Sequence, residues 1–405
     1  MLKQLSVFII AALLLSACLH KSPENAKEIQ SLKTMLTESP ESISNLNTEI
    51  SFEESELATQ IIHDYLTADL KNKYESQWQN ETLELSGYLL KFKYKKFGEK
   101  PPNGWSLYIS MHGGGGAPEK VNDQQWQNQI KLYEPKEGIY MAARAPTDTW
   151  NLWHQSHIDE FFALFIQLAD VFEDINTNRV YLTGYSAGGD GTFQLAPRMA
   201  DWLAGAAMMA GHPNDASPLG LRNLPFAIHM GAEDSAYHRN EIAAEWGAKL
   251  DELQKRDPEG FIHDIQIHEG MGHWMQRKDT AAIEWMSQYN RVAYPEKIVW
   301  KQSSVIHSRF YWLAVPEGAV QKDTEIVASR DGQNILIEKA DLVSEIIINF
   351  NDEMVDLNKK VTVTYNGKVI YNDNPKRTIA TIWNSLNNRN DLEQDFCAQI
   401  VVPLK

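Results

Sequence analysis

The stretch that decides the reading is "RVYLTGYSAGGDGTFQLAPRMAD", residues 179–201. A β-rich run ends at Tyr185, the pattern Gly-x-Ser-x-Gly centres on Ser186, and the residues that follow can open a helix. A strand, a sharp turn and a helix in that order hold a serine hydroxyl up at the edge of a sheet, with small neighbours so the backbones can approach. With 23 glycines in 405 residues the pattern alone is weak. The surroundings decide.

Outward from Ser186, over 104–290, short apolar runs alternate with helical segments, as in a mostly parallel sheet flanked by helices. Strands are expected at "WSLYISMHG", "GIYMAARAP", "RVYLTGYS", "LAGAAMMAG", "PFAIHMGAED" and "IHDIQIHEG", and helices over 157–172, 189–201, 238–256 and 280–290. Ligands of such sheets sit beyond the carboxyl ends of the strands. Every candidate residue below falls at such an end.

A serine attacks a carbonyl only when a base takes its proton and an acid holds that base. "HEGMGHWM" offers His273 after the last core strand, and "HMGAEDSAYHRN" offers Asp234 after the preceding one, with Glu233 as the rival acid. The order Ser186, Asp234, His273 is that of a nucleophile-elbow hydrolase. "ISMHGGGGAPE" puts His112 and four glycines at the end of an early strand, so backbone N–H groups of Gly114 and Gly115, with that of Ala187, are the candidate oxyanion donors. Candidate substrate contacts are His112, Trp150, Trp153, His154, Tyr185 and His212, with the two tryptophans equally suited to plugging the core. Asp190 and Arg198 read as structural.

Other chemistries fit poorly. His268, Glu269 and His273 are spaced one residue too long for a zinc helix, and Gly270 and Gly272 oppose one. No Gly-Lys-Ser/Thr follows the early glycines, so a phosphate loop is not expected. The reading calls for no metal and no organic cofactor. A net charge of -16 argues against a nucleic-acid partner.

Residues 104–290 resemble the α/β-hydrolase superfamily, in particular its esterase branch near polyhydroxybutyrate depolymerases, feruloyl esterases and dienelactone hydrolases. The stretches "APTDTWNLWHQSHIDEFF", "GYSAGGDGTFQLAPRMADW", "MMAGHPNDASPLGLRNLPF", "GHWM" and "FYWLAV" are similar to a bacterial group of hydrolases that carry a C-terminal β domain. The resemblance implies an α/β-hydrolase sheet and the triad Ser186, Asp234, His273. Dienelactone hydrolases place a cysteine where Ser186 stands, so their chemistry is not implied. The expected function is cleavage of a carboxylic ester through an acyl-enzyme. An acyl-aminoacyl peptidase and a non-catalytic lipoprotein that binds glycans or partners on the same scaffold remain alternatives.

The chain begins "MLKQLSVFIIAALLLSACLH", a short apolar export signal. Leu15-Ser16-Ala17-Cys18 resembles the bacterial lipoprotein signal, which implies lipid on Cys18, and Leu19 resembles the pattern sorted onward to an outer membrane. The expected organisation is a signal over 1–17, a flexible tether over 18–50, a hydrolase domain over 51–296 and a small all-β domain over 297–405. Within the last, Asn366-Gly367 marks a hairpin, and Phe310, Tyr311 and Trp312 read as an interface with the hydrolase core. If Cys18 is lipidated, Cys397 has no disulfide partner, because the chain has 2 cysteines.

Overall fold

Residues 23–404 are described by a computed structural model. Cys18 and the export signal lie outside them. Strand β1 (Thr82–Leu85) and strand β2 (Tyr88–Phe97) form an antiparallel hairpin at one edge of an eight-stranded sheet. Its other strands are β3 (Trp105–Met111), β4 (Gly138–Arg144), β5 (Ile175–Tyr185), β6 (Gly205–Met209), β7 (Phe226–Gly231) and β8 (His263–His268). Their order is β1-β2-β4-β3-β5-β6-β7-β8, and all pairs beyond β2–β4 are parallel. This is the α/β-hydrolase sheet. Every residue of β3 and β4 is buried, as befits strands covered on both faces, whereas β2 alternates.

Register aligns the strand ends that matter. Met111 pairs with Gly184, Tyr185 with Met209, and Gly231 with His268. The glycine loop, the serine turn and the two following loops therefore leave the sheet side by side.

The covering helices include α1 (Lys27–Glu38), α2 (Phe52–Gln79), α3 (Glu119–Gln129), α4 (Ser156–Glu173), α5 (Ala187–Arg198), α6 (Arg239–Arg256) and α7 (Ala281–Met286). The first corrects the expected tether: Ile29, Leu32 and Ile43 are fully buried, so 27–50 is part of the folded body and not a flexible lead. Polar composition hid this, because a few apolar residues at helical spacing suffice to dock a helix. Helix α2 starts with a capping box, in which Ser51 and Glu54 satisfy each other's backbone N–H groups. It ends with Trp78 packed among Phe92, Phe165 and Phe172. Among the described residues no helix is long and apolar enough to cross a membrane.

Beyond α7 the chain forms two smaller sheets. Strands β9 (Lys297–Lys301), β12 (Glu325–Asp331), β13 (Asn334–Asp341), β15 (Val361–Tyr365) and β16 (Lys368–Asp373) make one, and β10 (Arg309–Phe310), β11 (Leu313–Ala314), β14 (Glu345–Phe350) and β17 (Ala398–Pro403) the other. The β15–β16 turn is the expected hairpin, with Asn366 and Gly367 both at positive φ. The region is not all-β, however: α8 (Ile379–Arg389) is inserted, N-capped by Thr378, and its buried face lies against α2. Trp312 is fully buried and donates to the Pro295 carbonyl at 2.8 Å, and Tyr311 N–H reaches Asp201 at 3.4 Å, so this aromatic run packs on the hydrolase sheet's helices and loops.

Asp170 of α4 faces the seam between the two regions. Burial, then the charges of Asp391 and Asp174, push its carboxyl from 3.8 up to about 7. A carboxyl raised above its unfolded value contributes stability that is complete below pH 4 and lost as pH rises through about 7. Asp170→Asn is therefore expected to gain about 1–2 kcal/mol on the wild type between pH 4 and pH 8, allowing for partial solvent access. Urea titrations at both pH values check this, and a pH-independent difference would refute it.

Candidate active site

Ser186 sits between β5 and α5 with φ 58° and ψ -120°. A non-glycine residue at such angles stores strain that its surroundings must maintain. The turn is held by a Ser186 N–H bond to the Met209 carbonyl at 2.9 Å and by close backbone packing. A Cβ on Gly184 would lie 2.2 Å from Gly188 O, and one on Gly188 would lie 2.1 Å from Met111 O. Gly188→Ala must therefore push α5 off β3, and is expected to cost about 3 kcal/mol of stability and to displace Ser186. Thermal unfolding reads the effect; an unchanged Tm would show that the approach is not so tight.

The side chains chosen from sequence meet. His273 Nε2 lies 3.0 Å from Ser186 Oγ, and His273 Nδ1 lies 2.7 Å from Asp234 Oδ2. Asp234, the carboxylate that meets His273, is 3% exposed, whereas Glu233 faces solvent. Backbone bonds from Asp234 N–H to Gly231 O and from Asn240 N–H to Asp234 O fix that loop.

Tyr185 does not line the pocket beside the serine. Its hydroxyl donates to the His273 carbonyl at 2.6 Å and accepts from Met275 N–H at 3.1 Å, and burial raises its pKa, so it keeps the proton that this bond needs. The residue before Ser186 thus braces the loop that carries His273.

His112 is likewise not a substrate contact. It is fully buried, and its Nε2 accepts from Ala145 N–H at 3.1 Å, so Nδ1 carries the hydrogen toward Gly113 O at 2.6 Å. Burial lowers its pKa to about 4, so the ring is neutral. Trp153, also fully buried, donates from its indole to His112 O at 2.9 Å. Of the two readings for Trp153, core plug is the one the structure selects. His154 is half-buried and packs edge-on against Trp150 at 5.4 Å, backing that ring and not reaching the pocket.

The glycine loop also needs one correction. Gly115 N–H donates to Asn122 Oδ1 at 2.9 Å, which removes it from the set of free donors. Asn122, fully buried, ties the loop further through Ala117 O and Asp148. Ala187 opens α5, and a first-turn N–H has no acceptor within its helix.

A cavity of about 300 Å³ opens over Ser186, lined by Gly114, Gly115, Trp150, Ala187, Asp190, His212, Asn214, Tyr237 and Arg239. Trp150 and His212 were legible as pocket candidates. Asp190, expected to be structural, faces this cavity; its Oδ1 accepts His212 N–H at 2.6 Å, and burial pushes its carboxyl up to about 6. Asn214, Tyr237 and Arg239 were missed, since nothing in a polar loop sequence marks which residues turn inward. Arg198 is structural as expected, paired with Asp159 at 2.7 and 2.6 Å. Among the described residues no three His, Cys, Asp or Glu side chains are grouped to hold a metal ion.

No known sequence family and no curated protein matches the chain. Solved structures similar to it include a thermostable esterase, 17% identical with a TM-score of 0.40 over 52% of this chain and 62% of that one. A carboxylesterase from Bacillus cereus is 14% identical, TM-score 0.36, over 49% of this chain and 94% of that one. A ferulic acid esterase is 13% identical, TM-score 0.33, over 51% and 96%. The chain thus spans less than two thirds of the thermostable esterase.

Proposed function

We propose that the protein is a serine hydrolase that cleaves carboxylic esters through an acyl-enzyme. The observation that carries this reading is the chain of contacts from Ser186 through His273 to Asp234, with Ser186 held at positive φ under an open cavity. In the first step Ser186 Oγ attacks the ester carbonyl while His273 Nε2 takes its proton. Buried Asp234 fixes the tautomer and steadies the imidazolium. The oxyanion accepts from Ala187 N–H and from Gly114, which lines the same cavity. His273 then protonates the departing alcohol, and water, activated by the same imidazole, releases the acid.

The protein is further proposed to be exported and tethered to a membrane, at the outer membrane on its periplasmic or surface face, through lipid on Cys18. The support is "LSACLH" after the short apolar run. The test is hydrolysis of short 4-nitrophenyl esters by the full chain in detergent, together with labelling by a fluorophosphonate. Turnover with label on Ser186 is the expected result. Neither turnover nor label would leave the scaffold as a binding protein.

A further inference from the structure

Arg239 opens α6 and lines the cavity over Ser186. Its side chain is 13% exposed, so bulk water hydrates its charge only in part. Yet it is poorly matched. Its Nη1 approaches Ala236 O at 3.5 Å and Asp234 Oδ1 at 3.8 Å, its guanidinium lies 4.9 Å over the Tyr237 ring, and its Nε has no acceptor. Asp234 gives Arg239 only this long ion pair through Oδ1, because its Oδ2 is held at 2.7 Å by His273, so the remaining guanidinium donors still lack a close acceptor.

The neighbours point the same way. His212 Nδ1 accepts from Asn214 N–H at 2.9 Å, which leaves the proton of the neutral ring on Nε2, a second donor in the cavity wall. Burial and the nearby Arg239 keep this imidazole below its usual pKa. The one carboxyl in the lining, Asp190, is bonded through Oδ1 to the His212 backbone and forms no ion pair with Arg239 among the described residues. Two consecutive residues at positive φ, Tyr237 and His238, turn the chain just before Arg239. Strain of this kind persists where the surroundings impose it, often around ligands.

We propose that the ester cleaved at Ser186 carries a carboxylate, on its acid or alcohol portion, and that Arg239 with His212 binds it. This rests on the esterase reading above. A guanidinium with open donors in a confined, partly dry site is suited to a carboxylate. Arg239 is here a specificity residue, acting on which ester is held and not on the chemistry.

Two substrate pairs test it with the full chain: mono(4-nitrophenyl) adipate against its methyl ester, and 4-acetoxybenzoate against its methyl ester. The wild type is expected to favour the charged member of at least one pair by about tenfold in kcat/KM, mainly through KM. Arg239→Gln is expected to bring that ratio to about one, and Arg239→Lys to retain part of it. A merely structural role would lower both members alike and leave the ratio untouched, which would overturn the proposal. So would a wild-type preference for the neutral member of both pairs, a comparison that needs no variant to fold. If none of the four esters turns over while fluorophosphonate still labels Ser186, protection by adipate, weaker in Arg239→Gln, takes their place as the readout, and no protection overturns it. Absence of labelling as well would remove the esterase reading itself.

Discussion

Ser186→Ala is expected to lower kcat for a short ester by roughly 10⁴–10⁶-fold while the protein stays folded. The mutation removes one oxygen at the mouth of a cavity and leaves the strained turn, since alanine meets the same backbone as serine. His273→Ala should cost about as much, and the double variant little more than either, because the two act as one unit. Asp234→Asn should lose roughly 10⁴-fold: the geometry survives, but the amide favours the wrong imidazole tautomer. Steady-state rates with 4-nitrophenyl acetate, checked against circular dichroism, decide the matter. A Ser186→Ala protein within tenfold of wild type would mean that another group does the chemistry.

Asp201→Ala should be among the most destabilising single changes, at about 3–5 kcal/mol. Asp201 is 2% exposed in the turn after α5, at the meeting of the hydrolase sheet with the C-terminal sheets. It pairs with Arg389 of α8, whose guanidinium lies 3.9 Å over Trp202, and its backbone oxygen accepts from both Arg389 and Arg291. Arg309 is close by, its pKa lowered to about 9 by burial and by Arg389. Without Asp201, three guanidinium groups share Asp391, which already pairs with Arg291 at 2.7 Å. A double variant with Arg389→Met should recover much of the loss, because removing both charges is far cheaper than stranding one. Urea unfolding followed by fluorescence measures both. A loss below 1 kcal/mol would show that water reaches this seam. Because the cluster spans both regions, a chain cut near residue 294 should not remain soluble.

What the sequence disclosed, and what it withheld, follows from range. The elbow was legible because its strand, serine, glycines and helix are consecutive, and close backbone approach leaves no choice but glycine at 184 and 188. His273 and Asp234 were legible through strand order, since each directly follows a strand with apolar character. The roles of Tyr185, His112 and Trp153 were not, because burial in a loop layer is set by residues far along the chain. A tyrosine beside a nucleophile reads the same whether it meets substrate or braces a loop. Asn122 and Arg239 were invisible for a related reason: one captures the N–H of Gly115 and the other enters the cavity only through the fold of an irregular turn. Helix α1 was lost to its polar composition, and α8 to the β pattern on either side.

The clasp of α2 with α8 bears on how the chain folds as it is made. Thr67 bonds Asn390 at 3.0 Å, Tyr65 packs against Trp383, and Glu49 bridges Thr378. The Thr67–Asn390 partners are 323 residues apart. At roughly 5–20 residues per second, the ribosome delivers the second partner about 15–60 s after the first. Through that interval the Tyr65 ring of α2 lacks Trp383, its partner in α8. Contacts of such sequence separation also slow the search for the native state. Helix α2 therefore waits for a segment made 323 residues later before its Thr67–Asn390 contact can close.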